Sequence, residues 1–309
     1  ALGDVERADI YAKMARLSEE KLNDVEKAKE LWREVLDIRG EDPEALQALG
    51  RIYFAQENWR ELVEILEREV EAESTDDQNR VQIYGELGKI WYGKLERDGS
   101  AIDSWRAALD VDPTHIEAVY HIAEIHRDKQ QWPELTSVLD EAAEIGAAIL
   151  SEEELEHIYL QAAYVFEHEL EQSADAIAYY WKALEVNPRS FTALAGLETI
   201  YRREMEWEDV IGVMQRRADI LEETSDRIEQ LLAIARVHED ELENPVGGAS
   251  ALEQILEMEP LHDYAFNRLE AIYAVNEMWD ELYALYSQRA ASIAEVPDSP
   301  QFLAKEHVY

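Results

Sequence analysis

Two markers recur along this chain with one period. Tryptophan stands at Trp59, Trp132, Trp207 and Trp279, in steps of 73, 75 and 72 residues. Proline stands at Pro43, Pro113, Pro188 and Pro260, in steps of 70, 75 and 72. One period shared by two unrelated residue types means a structure built by repetition, in which each unit packs only on its neighbours. By length alone, 309 residues would suggest two compact domains. A repeat array is free of that limit, because no single core has to grow with the chain.

Each period holds four helical stretches, so the structural unit is half of it. Apolar residues recur at helical spacing over 83–91, a turn follows at Arg97, Asp98 and Gly99, and a second amphipathic stretch over 101–109 closes at Asp112 and Pro113. Proline after a second helix stops it and redirects the chain. With only 12 glycines and 8 prolines, and with good helix formers dominant, the composition is all-α. Thr114 to Glu117 and Ser151 to Glu154 both fit the capping box that opens a helix.

At these residues the chain resembles a known family. Tyr84, Leu87, Gly88, Trp91, Ala101, Trp105, Ala108 and Pro113 are similar to the tetratricopeptide repeat signature, with one extra residue in the turn. Tyr159, Ala163, Phe166, Ala176, Tyr180, Ala183 and Pro188 repeat it. The resemblance implies a right-handed α-solenoid of about eight antiparallel helix pairs, beginning near Val5, Pro43, Asp77, Thr114, Ser151, Pro188, Ser225 and Leu261. Residues 1–294 are expected as one solenoid. Residues 295–309 are expected to cap the last pair, or to dock into a groove through Phe302 and Tyr309.

Odd pairs carry a small residue (Ala28, Ala101, Ala176) at the start of the second helix, and even pairs a larger one (Leu62, Leu135, Val210, Leu282). Glu198 and Glu270 stand where the pattern wants a small residue, which predicts looser or rotated packing in pairs six and eight. The long turn over 243–248 is expected to bulge outwards. The tryptophans read as core wedges.

The resemblance also implies that the first helix of each pair (A) lines a concave surface where peptides lie, extended or helical. Sixteen positions on that face carry the bases Arg16, Arg51, Lys89, Arg127, Arg202 and Arg236 and the acids Glu19, Glu124, Glu167 and Glu239. That is a net of +2, where the average charge density of the chain gives roughly −2. Phe54, Tyr92, Tyr120 and Tyr164 accompany the bases, and arginine with aromatics is the composition of binding hot spots. These ten basic and aromatic residues are the candidate partner-binding set. The alternative is that the bases simply pair with glutamates on adjacent helices. The lysine and asparagine clamp by which some tetratricopeptide proteins hold a C-terminal carboxylate is not matched, since Ala12, Gln47 and Gly85 occupy the corresponding places.

Sixty-nine acidic residues against 29 basic ones give a net charge of −40, which repels nucleic-acid phosphates and anionic membranes. The same surface either attracts a basic partner or serves as a solvated coat. No apolar run reaches membrane-spanning length, so no membrane insertion is expected. Without cysteine there is no thiolate chemistry, and the compartment stays open. Glu154 to His157 is an E-x-x-H within a helical stretch. The other helical histidines, His121, His126, His168 and His238, lack the glutamate three residues before, so the second helical copy that a di-iron bundle needs is missing. No phosphate-binding loop or nucleophile elbow occurs. The expectation is therefore a non-catalytic scaffold with no cofactor and no metal, binding a protein or peptide. The alternative is a structural subunit that packs through its repeat ends or acidic surface, self-association included. Twenty arginines to nine lysines suit a bacterial origin, and a chain starting at Ala1 reads as processed or cut from something longer.

Overall fold

The computed structural model describes residues 2–72 and 75–294. Its helices fall into two compact units, Ala1–Leu150 and Ser151–Tyr309. The first unit holds four antiparallel pairs: α1 (Leu2–Glu20) with α2 (Val25–Arg39), α3 (Pro43–Ala55) with α4 (Trp59–Glu71), α5 (Asp77–Gly93) with α6 (Asp98–Val111), and α7 (Ile116–Asp128) with α8 (Trp132–Gly146). The second unit holds four more: α9 (Glu152–Tyr164) with α10 (Ser173–Val186), α11 (Phe191–Glu204) with α12 (Trp207–Ile220), α13 (Thr224–Asp240) with α14 (Ala249–Met258), and α15 (Asp263–Val275) with α16 (Trp279–Ala294). Among the described residues all regular structure is helical, and each unit is an α-solenoid in which every helix packs on the next. The expected cap, 295–309 with Phe302 and Tyr309, lies outside the described residues.

Small residues set how closely paired helices approach. In α5, Gly88 lies under the Trp105 ring of α6: a Cβ on it would come within 2.4 Å of the indole. Ala163 and Ala176 are fully buried at the matching contact of α9 and α10. Trp32 and Trp105 are the wedges that the sequence predicted, both fully buried. The tryptophans that head α4, α8 and α12 are only half-buried, and Trp279 of α16 is exposed, so the wedge reading fails for them. Each stands at the first position of its helix, directly after the turn, rather than along the face between paired helices.

The turns explain the alternation of odd and even pairs. Every turn inside a pair holds one non-glycine residue with positive φ: Asn23, Glu57, Glu96, Gln130, Glu171, Met205, Glu243 and Glu277. In even pairs the chain closes by a bond from residue i+5 back to i, such as Asn58 N–H to Tyr53 O and Glu206 N–H to Tyr201 O, both 2.9 Å. Odd pairs close one residue later, as in Asp24 N–H to Ser18 O at 2.9 Å and Arg97 N–H to Trp91 O at 2.8 Å. The extra residue in the odd turns is this longer closure. Both satisfy carbonyls that a helix C-terminus otherwise leaves open.

Two local expectations hold, one fails and one is met only in part. Ser151 forms the capping box with Glu154, while Pro43 begins α3 behind an Asp42 cap. Thr114 forms no such box. Asp112 takes both its hydroxyl (2.7 Å) and its N–H (2.9 Å), and α7 starts after His115 instead. The turn over 243–248 is exposed at Glu243, Asn244 and Val246, but its end packs inwards: Gly248 is buried, and a Cβ on it would lie 3.2 Å from the Ala235 backbone. Two consecutive glycines let that loop fold back on α13, at the expense of the length of α14.

Candidate partner-binding site

The ten candidate residues divide between the units. In the first, Arg16 (α1), Arg51 and Phe54 (α3), Lys89 and Tyr92 (α5) and Tyr120 and Arg127 (α7) all lie on A helices. Arg16 grips both carboxylate oxygens of Glu44 on α3, which is the pairing alternative in practice. Tyr92 donates its hydroxyl to Asp128 at 2.7 Å, and that carboxylate pushes the phenol up to about 12. Tyr120 and Arg127 are exposed on α7. Arg51 is exposed and reaches Glu19 only at 3.5 Å, and Lys89 forms no ion pair among the described residues.

Arg51, Phe54 and Lys89 come together. They line one cleft of about 670 Å³, held between α3 and α5 above α4. Its floor is apolar, made by Leu62 and Leu66 of α4, Ile90 of α5 and the bare backbone at Gly50. Phe54 is 63% exposed and stands edge-on to Trp59, with ring centroids 5.7 Å apart. Glu69 and Glu86 close the other end. Burial, reinforced by the neighbouring Glu86, holds the Glu69 carboxyl above the usual carboxylate range. Charges of both signs thus rim an apolar hollow.

Gly50 keeps that hollow open. A glycine inside a helix costs about 0.5–1 kcal/mol relative to alanine. Packing does not demand one here, since an added Cβ would meet only Leu62 and Ile65 methyls at 3.9 Å. The corresponding positions of the other even A helices hold Ala123, Glu198 and Glu270.

The second unit fills the matching place. Glu198 of α11 takes the Gly50 position, and its carboxylate binds Arg202 at 2.9 Å and Arg217 at 3.4 Å. Arg202 also donates to the Met214 sulfur at 3.3 Å. This candidate is therefore spent on a local ion network. Arg236 remains exposed without an ion pair among the described residues, and Tyr164 stacks on His168 with centroids 4.3 Å apart. Glu167, expected on the peptide face, is instead buried and accepts the Tyr180 hydroxyl at 2.6 Å. A five-residue π-helical stretch, Val165–Glu169, extends α9 and rotates this side chain inwards.

Reasoning from the A-helix face missed Glu69, Leu62 and Leu66, which come from a B helix, and Glu86, one turn before Lys89. The one available signal was Gly50, an interior glycine with no turn beside it. Among the described residues no group of three or more histidine, aspartate or glutamate side chains is arranged to hold a metal ion, and no helix is long and apolar enough to cross a membrane.

A family model for the tetratricopeptide repeat matches residues 45–81, which span α3, α4 and the start of α5. Among solved structures, the C-terminal part of a TPR repeat-containing protein from Cytophaga hutchinsonii is similar at 15% identity, over 83% of this chain and 98% of that one, with a TM-score of 0.40. YrrB, described as a TPR protein with an unusual peptide-binding site, is similar at 18% identity over 60% of this chain and 89% of its own, with a TM-score of 0.35. PilF of Pseudomonas aeruginosa is similar at 16% identity over 88% and 99%, with a TM-score of 0.32. No curated protein matches the sequence.

Proposed function

This chain is a tetratricopeptide-repeat protein, and on that premise we propose that it is a non-catalytic scaffold that captures a peptide or protein segment along its A helices. Protein interaction is the general role of the fold. The particular surface is read from one observation, the open cleft between α3 and α5. There an exposed phenylalanine, a lysine with no ion pair among the described residues and an exposed arginine held only by a 3.5 Å contact with Glu19 border an apolar floor. Elsewhere the candidate cations Arg16 and Arg202 are engaged with carboxylates of the chain itself. An aromatic ring, a guanidinium and a desolvated floor are what a partner's anchor residue needs.

The test is an affinity pull-down from the source organism with two surfaces altered separately. Arg51→Glu with Lys89→Glu is expected to remove the specific partner while helicity and melting stay unchanged. If instead the acidic exterior recruits the partner, that pair is silent and capture falls steeply with salt. Retained capture by the double variant at every salt concentration sinks the groove reading.

A structural role is the second reading, favoured by the face of α16. Trp279, Tyr283, Tyr286 and Ile293 recur there at helical spacing, and Tyr283 is 76% exposed. A concentration series by analytical ultracentrifugation decides it. A monomer throughout rules out packing through the repeat ends.

A further inference from the structure

The cleft is ordered along its length, and the order specifies a ligand. Arg51, Phe54 and Lys89 stand towards the C-terminal ends of α3 and α5. Glu86 and Gln47 lie about one turn earlier on the same two helices, opposite Glu69 of α4. A second recess of about 460 Å³ continues from there, sharing Gln47, Leu66, Glu69 and Glu86 and ending at the amides of Asn79 and Gln82. The groove therefore runs from cationic, through apolar and anionic, to neutral amide.

Its charges are not spent on one another. Glu86 and Lys89 are three apart on α5, the spacing at which opposite charges usually meet on a helix, yet no ion pair joins them. Lys89 makes none at all among the described residues. Glu69 lies partly buried beside a like charge, an arrangement that a bound cation relieves. Gly50, disfavoured in a helix interior and not required by packing, removes the one side chain that would fill the floor. Glycine at such a point lets a ligand approach the backbone closely.

We propose that this cleft binds an extended peptide segment of a partner protein, with a leucine- or methionine-sized side chain on the floor of Gly50, Leu62, Leu66 and Ile90. An acidic residue on one side of that anchor meets Arg51 and Lys89, and a lysine or arginine on the other meets Glu69 and Glu86. Main-chain groups of the peptide continue towards Gln47, Asn79 and Gln82. From Pro43 to Phe54 the helix advances about 16 Å at 1.5 Å per residue, which matches five extended residues at about 3.3 Å each. The ligand is thus a stretch of about five residues with an acid, an apolar anchor and a base in that order or its reverse. The inference rests on the scaffold reading above, and it commits that reading to one partner chemistry.

A displayed random heptapeptide library, selected against the whole chain, tests it. The enriched peptides are expected to share one leucine, methionine or similar residue between an acid and a base. Gly50→Leu is expected to weaken them roughly tenfold or more, with the helical signal and melting temperature preserved. Gly50→Ala provides a milder second variant. Glu69→Lys with Glu86→Lys should replace the basic position of the selected peptides by an acidic one. Peptides that bind but lack the charge pattern, or that ignore Gly50→Leu, overturn the cleft assignment and leave the scaffold reading standing. A library that enriches nothing on the intact chain overturns both.

Discussion

Helices α3 and α11 occupy the same place in their repeats and make opposite use of it. In α3 the sequence over 48–50 is Ala-Leu-Gly, and over the matching 196–198 of α11 it is Gly-Leu-Glu. In α11 the glycine is structural: a Cβ on Gly196 would come within 2.2 Å of the Tyr180 ring. Two residues on, Glu198 fills the hollow and is 16% exposed in its ion network. In α3 the glycine has room for a methyl, at 3.9 Å from Leu62 and Ile65, and bears no side chain, so the hollow survives with Lys89 unpaired beside it among the described residues. One backbone plan therefore yields a closed ion-paired wall in one unit and an open cleft in the other. The first unit also holds 18 of the 29 basic residues against 35 acidic ones, and the second 11 against 34, so the first is the less acidic of the two.

The sharpest way to break this comparison is alanine at the two glycines. Gly196→Ala should destabilise the chain by about 2–3 kcal/mol through overpacking against Tyr180, measured by urea unfolding. Gly50→Ala should stabilise it by about 0.5–1 kcal/mol, because the new methyl has room and the unfolded chain loses freedom. Equal effects of the two would mean that the hollow is not real.

Next in size is the ion network. The Glu198–Arg217 coupling, from a double-mutant cycle, should stay within about 1 kcal/mol, since both arginines are more than a third exposed. A much larger coupling would mean that the network, rather than packing, holds the second unit closed. Met205→Gly should raise stability by about 0.5–1 kcal/mol, the difference between relieving a left-handed backbone and ordering a glycine. Glu57→Gly in the matching turn of the first unit should do the same, and a difference between the two would show that the turns are not equivalent.

The smallest effects are those of pH, and they differ between the units. Burial depresses the His238 imidazole, against which the loop glycines pack. For a base held neutral in the fold, the unfolded chain binds the proton first. Stability is therefore full above the ordinary imidazole value and falls as pH drops through the window down to the depressed one. Glu69 runs the other way: its raised carboxyl stabilises the folded form as pH falls through and below that raised value. Hydrogen exchange at pH 7.5 and 5.5 should show faster opening in α13 and α14 at the lower pH, and His238→Gln should abolish it. A uniform response of both units would refute the assignment.

Much of the fold was legible because it is local. Proline, tryptophan and small residues recur wherever a helix ends, starts or touches its partner, and the Ser151 cap needs only residues three apart. The failures share a cause. Thr114 lost its capping role to Asp112, a competitor two residues away, and Glu167 turned inwards because one π-helical stretch broke the 3.6-residue register on which its placement relied. The end of the turn over 243–248 packs inwards because Gly247 and Gly248 meet His238 and Ala235 of a helix that the linear pattern does not show. In the candidate site, Arg51, Phe54 and Lys89 were legible from one helix face, whereas Glu69 and Leu66 were not, because they arrive from a neighbouring helix.

The sequence by itself determined the repetition, the all-α class, the alternation of two turn lengths and a surplus of bases on the A helices. Those properties depend on spacing along the chain, which helix geometry converts directly into position. Only the tertiary structure decided which bases remain available. Arg16 and Arg202 carry the same signal as Arg51 and Lys89, yet the first two are met closely by Glu44 and Glu198, whereas Arg51 touches Glu19 only at 3.5 Å and Lys89 has no ion pair among the described residues. Whether a charge finds a partner depends on distances between helices, and one missing side chain at Gly50 is enough to change the answer.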